Sequence, residues 1–155
     1  MARAVDTHEI EERGGTSYPA PFHAAVAGRF SRRLGDAFSL TQFGVNLVRL
    51  APGAASSLRH AHSAEDEFVM VLEGTPTLIT NDGEQPMTPG MVVGFPCDTG
   101  DAHCLVNRTE VDAVFLVVGT KARDSDVCAY PDVDLHLAPG RDGRRRFLRK
   151  DGTAW

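Results

Sequence analysis

Between residues 40 and 119 the chain breaks into short β-rich runs, each closed by a turn signal, and no apolar helical period persists long enough to build a core helix. The expected strands span residues 41–50, 58–62, 67–73, 75–80, 84–88, 91–95, 102–107 and 111–118. Pro52-Gly53, Gly74, Pro89-Gly90 and Arg108-Thr109-Glu110 punctuate them. Asn81-Asp82-Gly83 marks a hairpin, because these residue types tolerate positive φ. Strands this short and this closely spaced favour an all-β sandwich or barrel.

The flanks differ in character. Residues 1–39 are polar and Gly/Ala-rich, and residues 121–155 are charged and turn-rich with only short apolar pieces. They are expected as arms packed on a core of residues 40–120, with a strand or turn at 29–34 and a packing contact at Phe147-Leu148, and not as further domains. A chain of 155 residues is long enough to bury about two-thirds of its unfolded surface around one core.

Charged residues at 24% and hydrophobic ones at 42% are ordinary for a globular protein, which argues against wholesale disorder. A net charge of −5 disfavours nucleic acid as a partner, since nucleic-acid-binding domains carry a basic face. No uninterrupted apolar run approaches membrane-spanning length and nothing near Met1 reads as a signal peptide, so a cytoplasmic protein without membrane contact is expected. Cys97, Cys104 and Cys128 are odd in number and lack CxxC spacing, so free thiols are expected.

Chemistry concentrates in four residues. His60 and His62 are separated by one residue, and in a strand that spacing projects both side chains from one face. Glu67 follows at the head of an apolar strand, and His103 comes from a distant one. Three imidazoles and a carboxylate form a mixed N/O donor set that suits one divalent Zn, Fe, Mn, Ni or Cu ion better than Ca or Mg. A lone histidine is more often a surface or hydrogen-bonded core residue; the ligand types and spacing together favour a metal site. By strand parity Cys104 faces away from His103 and is not expected as a ligand.

The same residues resemble the cupins. The first cupin motif, G-x5-H-x-H-x3,4-E-x6-G, corresponds to Gly53, six residues, His60-Ala61-His62, four residues, Glu67, six residues and Gly74. The second, G-x5-P-x-G-x2-H-x3-N, corresponds to Gly90, five residues, Pro96, three residues, Gly100, two residues, His103, three residues and Asn107. One interval is longer by one residue and one by two, and Asp98 stands near a place where the family often has Gly. The resemblance implies a double-sheet, jelly-roll-like β-barrel with His60, His62, Glu67 and His103 as metal ligands inside it. The stretches SAEDEF, FP and PDVDL look most like small single-domain bacterial cupins, some described as sugar-phosphate isomerase-like, a label not taken here as a function.

Several features have a plainer reading beside the functional one. Glu65 and Asp66 compete with Glu67 as ligand, but they sit in the turn, where solvated acids are common. Residues 141–150 hold six basic side chains, read as a solvated tail in preference to a phosphate or lipid contact. Cys97 adjoins the expected cavity mouth but has no basic neighbour in sequence to activate it. Gln42 and Asn46 share one face of their strand and Arg49 the other, without indicating which face is inward. Phe68, Met70 and Leu72 make the outer face of residues 67–73 apolar, so an arm or a second subunit is expected to cover it, with a homodimer preferred.

Two function classes follow. An open metal position would make an enzyme acting on a small molecule in the cavity, by isomerisation, dehydration or hydrolysis on a redox-inert ion, or by dioxygen activation on Fe, Mn or Cu. The alternative is a small-molecule binding or sensor module without turnover. A purely structural ion is the weakest option, because a barrel of this size carries its own apolar core.

Overall fold

The computed structural model describes residues 3–155; the first two residues of the expected N-terminal arm lie outside them. Twelve strands carry the fold: β1 (Arg29–Arg33), β2 (Phe43–Leu50), β3 (Ala61–His62), β4 (Glu67–Glu73), β5 (Thr77–Thr80), β6 (Gly83–Pro86), β7 (Val92–Phe95), β8 (Cys104–Val106), β9 (Ala113–Thr120), β10 (Cys128–Tyr130), β11 (Leu135–Pro139) and β12 (Arg145–Leu148). They form antiparallel sheets ordered β1-β2-β9-β4-β7, β12-β11-β10-β3 and β6-β5-β8. One helical turn, Leu34–Ala37, and two 3₁₀ segments, Thr7–Glu9 and Ala20–Val26, complete the secondary structure. Among the described residues no helix is long and apolar enough to cross a membrane.

Alternation drives the main sheet. Along β4, Val69 and Val71 are fully buried while Phe68 and Leu72 point outward. β2 and β9 pair over eight residues from Phe43↔Thr120 to Leu50↔Ala113, which brings Val48, Leu50 and Phe115 to the same interior. Leu78, Phe95 and Leu105 from β5, β7 and β8, with Met87 just beyond β6, close that core. Each such fully buried side chain contributes about 1.5–3 kcal/mol relative to an exposed one. None of the four expected ligands belongs to this cluster.

Gly74 shows why the motif needs glycine. The β4–β9 register shifts between Val71 and Glu73, and the chain leaves this bulge with φ +70 at Gly74, where a Cβ would lie 2.6 Å from the Asp112 carbonyl oxygen. In the second motif Asp98 takes φ +60, the left-handed conformation open to glycine and tolerated by Asp. Its amide donates to the His62 carbonyl oxygen at 2.9 Å, so the lengthened loop is pinned to the first motif.

The ends depart from the sequence reading. Residues 58–62 yield only the two-residue β3, preceded by a β-bridge between His60 and His103. The hairpin turn is Asn81-Asp82, with Gly83 already opening β6 opposite Thr80. The expected strand or turn at 29–34 is β1, paired along β2. The C-terminal stretch does more than pack on the core: β10 pairs directly with β3, in register Cys128↔His62 and Ala129↔Ala61. Around Cys128, Tyr130 and Leu135 a second apolar cluster gathers Tyr18 and Phe22 from the N-terminal arm and Phe147 from β12.

Candidate metal centre

The two motif strands meet through backbone hydrogen bonds. The His60 amide donates to the His103 carbonyl at 3.1 Å and the His103 amide to the His60 carbonyl at 2.8 Å. That pairing sets the His60 ring 4.9 Å from His103 and 5.0 Å from His62, centroid to centroid. Phe95 lies flat on His103 with its centroid 3.4 Å away, and Tyr130 stacks on His60 at 5.9 Å.

Hydrogen bonding fixes how the rings present their nitrogens. His62 Nδ1 lies 2.8 Å from Asp126 Oδ2, His60 Nδ1 3.0 Å from the Leu58 carbonyl and His103 Nδ1 3.4 Å from the Asp101 carbonyl. Carbonyls and carboxylates only accept, so each Nδ1 is the donor, and in the neutral imidazole Nε2 then keeps the lone pair. This tautomer, with the distal nitrogen held by an oxygen, is the one metal-bound histidines adopt. His103 Nε2 decides the fit. It is buried and has no hydrogen-bond partner, and the nearest carboxylate oxygen, Glu67 Oε1, is 3.4 Å away without hydrogen-bond alignment. A buried, unsatisfied lone pair beside a carboxylate is a cost that a cation would remove.

Ligand atoms of His60, Glu67 and His103 lie within 4.8 Å of one another. His62 joins through a second group, with His60 and Cys128, and through a third, with Glu65 and Asp126, the acid set aside in the turn and the partner of its Nδ1. All four sequence candidates are thus brought to one place, although they do not close into a single group of that size. Burial pushes His60 down to about 4, which keeps its imidazole neutral at pH 7. Burial alone would raise Glu67, but the contact with His103 and attraction to His60, His103 and His62 in their protonated forms hold it below the usual carboxylate range. Neutral imidazoles and an ionised carboxylate are the protonation states that coordinate metals.

Residues outside the motifs complete the surroundings. Asp126, fully buried, accepts from His62, from the Ala64 amide at 3.0 Å and from Arg145 Nη2 at 2.7 Å. Arg145 belongs to the basic run read as a solvated tail; instead it reaches from β12 into the site. Asp66 is exposed, as expected of a turn acid, but it accepts from the Cys97 amide, and the half-buried Glu65 accepts from the Ala122 amide, both at 2.8 Å. Cys104 stands outside the ligand groups, whereas Cys128 stands inside one with its thiol pushed up to about 12 by burial. Asp126 and Arg145 carried no sequence signal, because each depends on the pairing of β10 and β12 with distant strands. Alternation of buried Cys128 and Tyr130 was the one available hint at β10.

An open cavity of about 350 Å³ leads to the centre, lined by His62 and Glu67 together with Asn46, Ser31 and Thr120. Asn46 therefore faces inward, while Arg49 on the opposite face pairs with Glu12 and Asp112.

The Cupin domain family model matches residues 46–119, the stretch from β2 through β9. A sugar phosphate isomerase of the cupin superfamily from Silicibacter pomeroyi DSS-3 is 48% identical over 99% of this chain and 96% of its own, with a TM-score of 0.92. The chain belongs to the cupin superfamily. A second protein, from Acidithiobacillus ferrooxidans ATCC 23270 and provisionally assigned as a sugar phosphate isomerase, is 34% identical over 82% of this cupin and 80% of its own chain, with a TM-score of 0.73. A polyketide cyclase from Streptomyces resistomycificus shares the fold alone, at 20% identity and a TM-score of 0.65 over 77% of this chain and 80% of its own. Metal binding is common among cupins, and the groups able to hold an ion here are those just described.

Proposed function

We propose that this cupin is a metal-dependent enzyme in which His60, His62, Glu67 and His103 hold one divalent ion, Zn, Fe, Mn, Ni or Cu, and which acts on a small polar metabolite by isomerase- or lyase-type chemistry. The observation that carries it is the buried, unpartnered His103 Nε2 facing Glu67, with all three Nδ1 atoms occupied by oxygens. Bound there, such an ion would supply Lewis acidity to a carbonyl or hydroxyl oxygen of the substrate. Glu67 provides a compensating negative charge, and Asp126 and the Leu58 carbonyl hold His62 and His60 in orientation. Polar groups on Ser31, Asn46 and Thr120 offer hydrogen bonds to a hydroxylated ligand in the open cavity. Two relatives above 30% identity, one described as a sugar phosphate isomerase and one provisionally so, support this class over dioxygen activation.

The test is to incubate metal-reconstituted protein with aldose and ketose phosphates and small hydroxy acids, following products by NMR and oxygen by electrode. Metal-dependent multiple turnovers without oxygen uptake are expected. Oxygen uptake would assign the oxygenase class, and ligand retained without conversion would assign the binding or sensor module.

A further inference from the structure

Arg29 is the half-buried arginine left without an acceptor. Arg32, Arg49, Arg59 and Arg145 each pair with a carboxylate, and Arg149 donates to the Ala154 carbonyl. Arg29 Nε is shielded from solvent with no hydrogen-bond partner, and no carboxylate among the described residues lies within ion-pair distance of its guanidinium. A charged N–H withdrawn from water in this way costs stability unless an acceptor meets it. Burial accordingly pulls its pKa down, partly offset by the nearby charge of Glu67.

Its position says what that partner is for. Arg29 opens β1 opposite Leu50 and lines three spaces: a cavity of about 540 Å³ beside Tyr18, Tyr130 and Phe147, and two that reach residues of the candidate metal centre. Of these two, one is an inner chamber of about 140 Å³ that it shares with His60, Glu67 and Ser57; the other is the outer cavity, which it also shares with Glu67. Five basic side chains against three acidic ones line the outer cavity, on a chain whose overall charge is −5. Positive charge is thus gathered where the rest of the molecule lacks it, which draws anions inward.

We propose that Arg29 is the anion anchor of this site: its planar guanidinium binds two oxygens of a substrate carboxylate or phosphate and sets the adjoining carbons against His60 and Glu67. The bidentate fork suits both groups, and Lys could not reproduce it. Substrate selectivity then follows from charge. Neutral sugars and alcohols lack the group that satisfies Arg29, so its desolvation cost persists when they bind.

The inference rests on the metal reading for the role of the anchored carbons, yet it is tested apart from it. Inorganic phosphate and glycolate are titrated calorimetrically, at constant ionic strength, into metal-loaded and metal-free wild type, Arg29→Met and Arg29→Lys, while a chelator competition gives the metal affinity of each. Wild type is expected to bind at least one probe, Arg29→Met to weaken it by at least about tenfold and Arg29→Lys by severalfold, with metal affinity changed by less than about threefold. Preference for phosphate or for glycolate identifies the anion. Arg29-dependent binding in a protein that takes up no metal would uphold the anchor and overturn the metal centre. Equal binding in wild type and Arg29→Met, or binding of neither probe to wild type, would overturn the anchor. Should Arg29→Met fail to fold, an Arg29→Lys variant as tight as wild type has the same meaning.

Discussion

Asp126 Oδ2 sits 2.8 Å from His62 Nδ1 and 2.7 Å from Arg145 Nη2, so one buried oxygen ties a candidate ligand to the C-terminal strand β12. Burial alone would raise this carboxyl, but the bonds from His62 and the Ala64 amide, with Arg145, hold it below its ordinary range. Asp126→Asn keeps the shape and removes the charge that fixes the His62 tautomer. The expected result is metal affinity about 10–100-fold weaker, read by chelator competition, with the ion still bound at saturating concentration. Unchanged affinity would leave Asp126 a purely structural residue.

Gly74→Ala tests the bulge that ends β4. The left-handed φ and the 2.6 Å approach of a Cβ to the Asp112 oxygen predict destabilisation of about 2–4 kcal/mol, measured by urea unfolding. A change below about 0.5 kcal/mol would show that the turn relaxes freely.

The N-terminal arm is held by charge. Glu12 accepts from Arg49 at 2.6 Å, and this pairing keeps the Glu12 carboxyl below its ordinary value of 4.5. A depressed folded-state value means the stabilisation is present above pH 4.5 and is lost as pH falls through the folded value. Glu12→Gln should therefore cost about 0.5–1 kcal/mol at pH 7, the discount for partial exposure included, and progressively less in the acid range below that value. Thermal unfolding of both proteins from pH 7 to pH 3 checks it; a difference that grows on acidification would contradict the assignment.

The outer face of the main sheet remains bare in a single chain. Phe68 is 41%, Leu72 41% and Val92 55% exposed on β4 and on the edge strand β7. We propose that a second copy covers this face about a two-fold axis. Light scattering at micromolar concentration is expected to give twice the 16.7 kDa chain mass, and Phe68→Lys to shift it toward one chain. A strictly single-chain mass for wild type would count against the dimer.

Strands β2 to β9 were legible because their signals are local: alternation as in EFVMVLE and turns as at Gly74 and Pro89-Gly90. The histidines and Glu67 were legible for the same reason, since ligand spacing is written within two short motifs. Strands β10–β12 were not, because three- to five-residue runs in charged sequence acquire their strand character only by pairing, β10 on β3, β11 on β10 and β12 on β11. Asp126, Arg145 and Arg29 enter the site through that long-range pairing and through β1, so their neighbours in sequence say nothing of it. The capping roles of Glu65 and Asp66 were not legible because the amides they meet, of Ala122 and Cys97, lie in segments just beyond β9 and β7, far along the chain.

Metal content per chain, measured by elemental analysis on untagged wild type and on His103→Ala beside thermal unfolding, tests the centre most directly. The account predicts one transition-metal ion per wild-type chain, less than about a tenth of that in the variant, and cooperative unfolding of both, with the variant less stable by about 2–4 kcal/mol for the space left under Phe95. Wild type that holds no ion after reconstitution with any of the five metals, or His103→Ala that keeps its full complement, would contradict it.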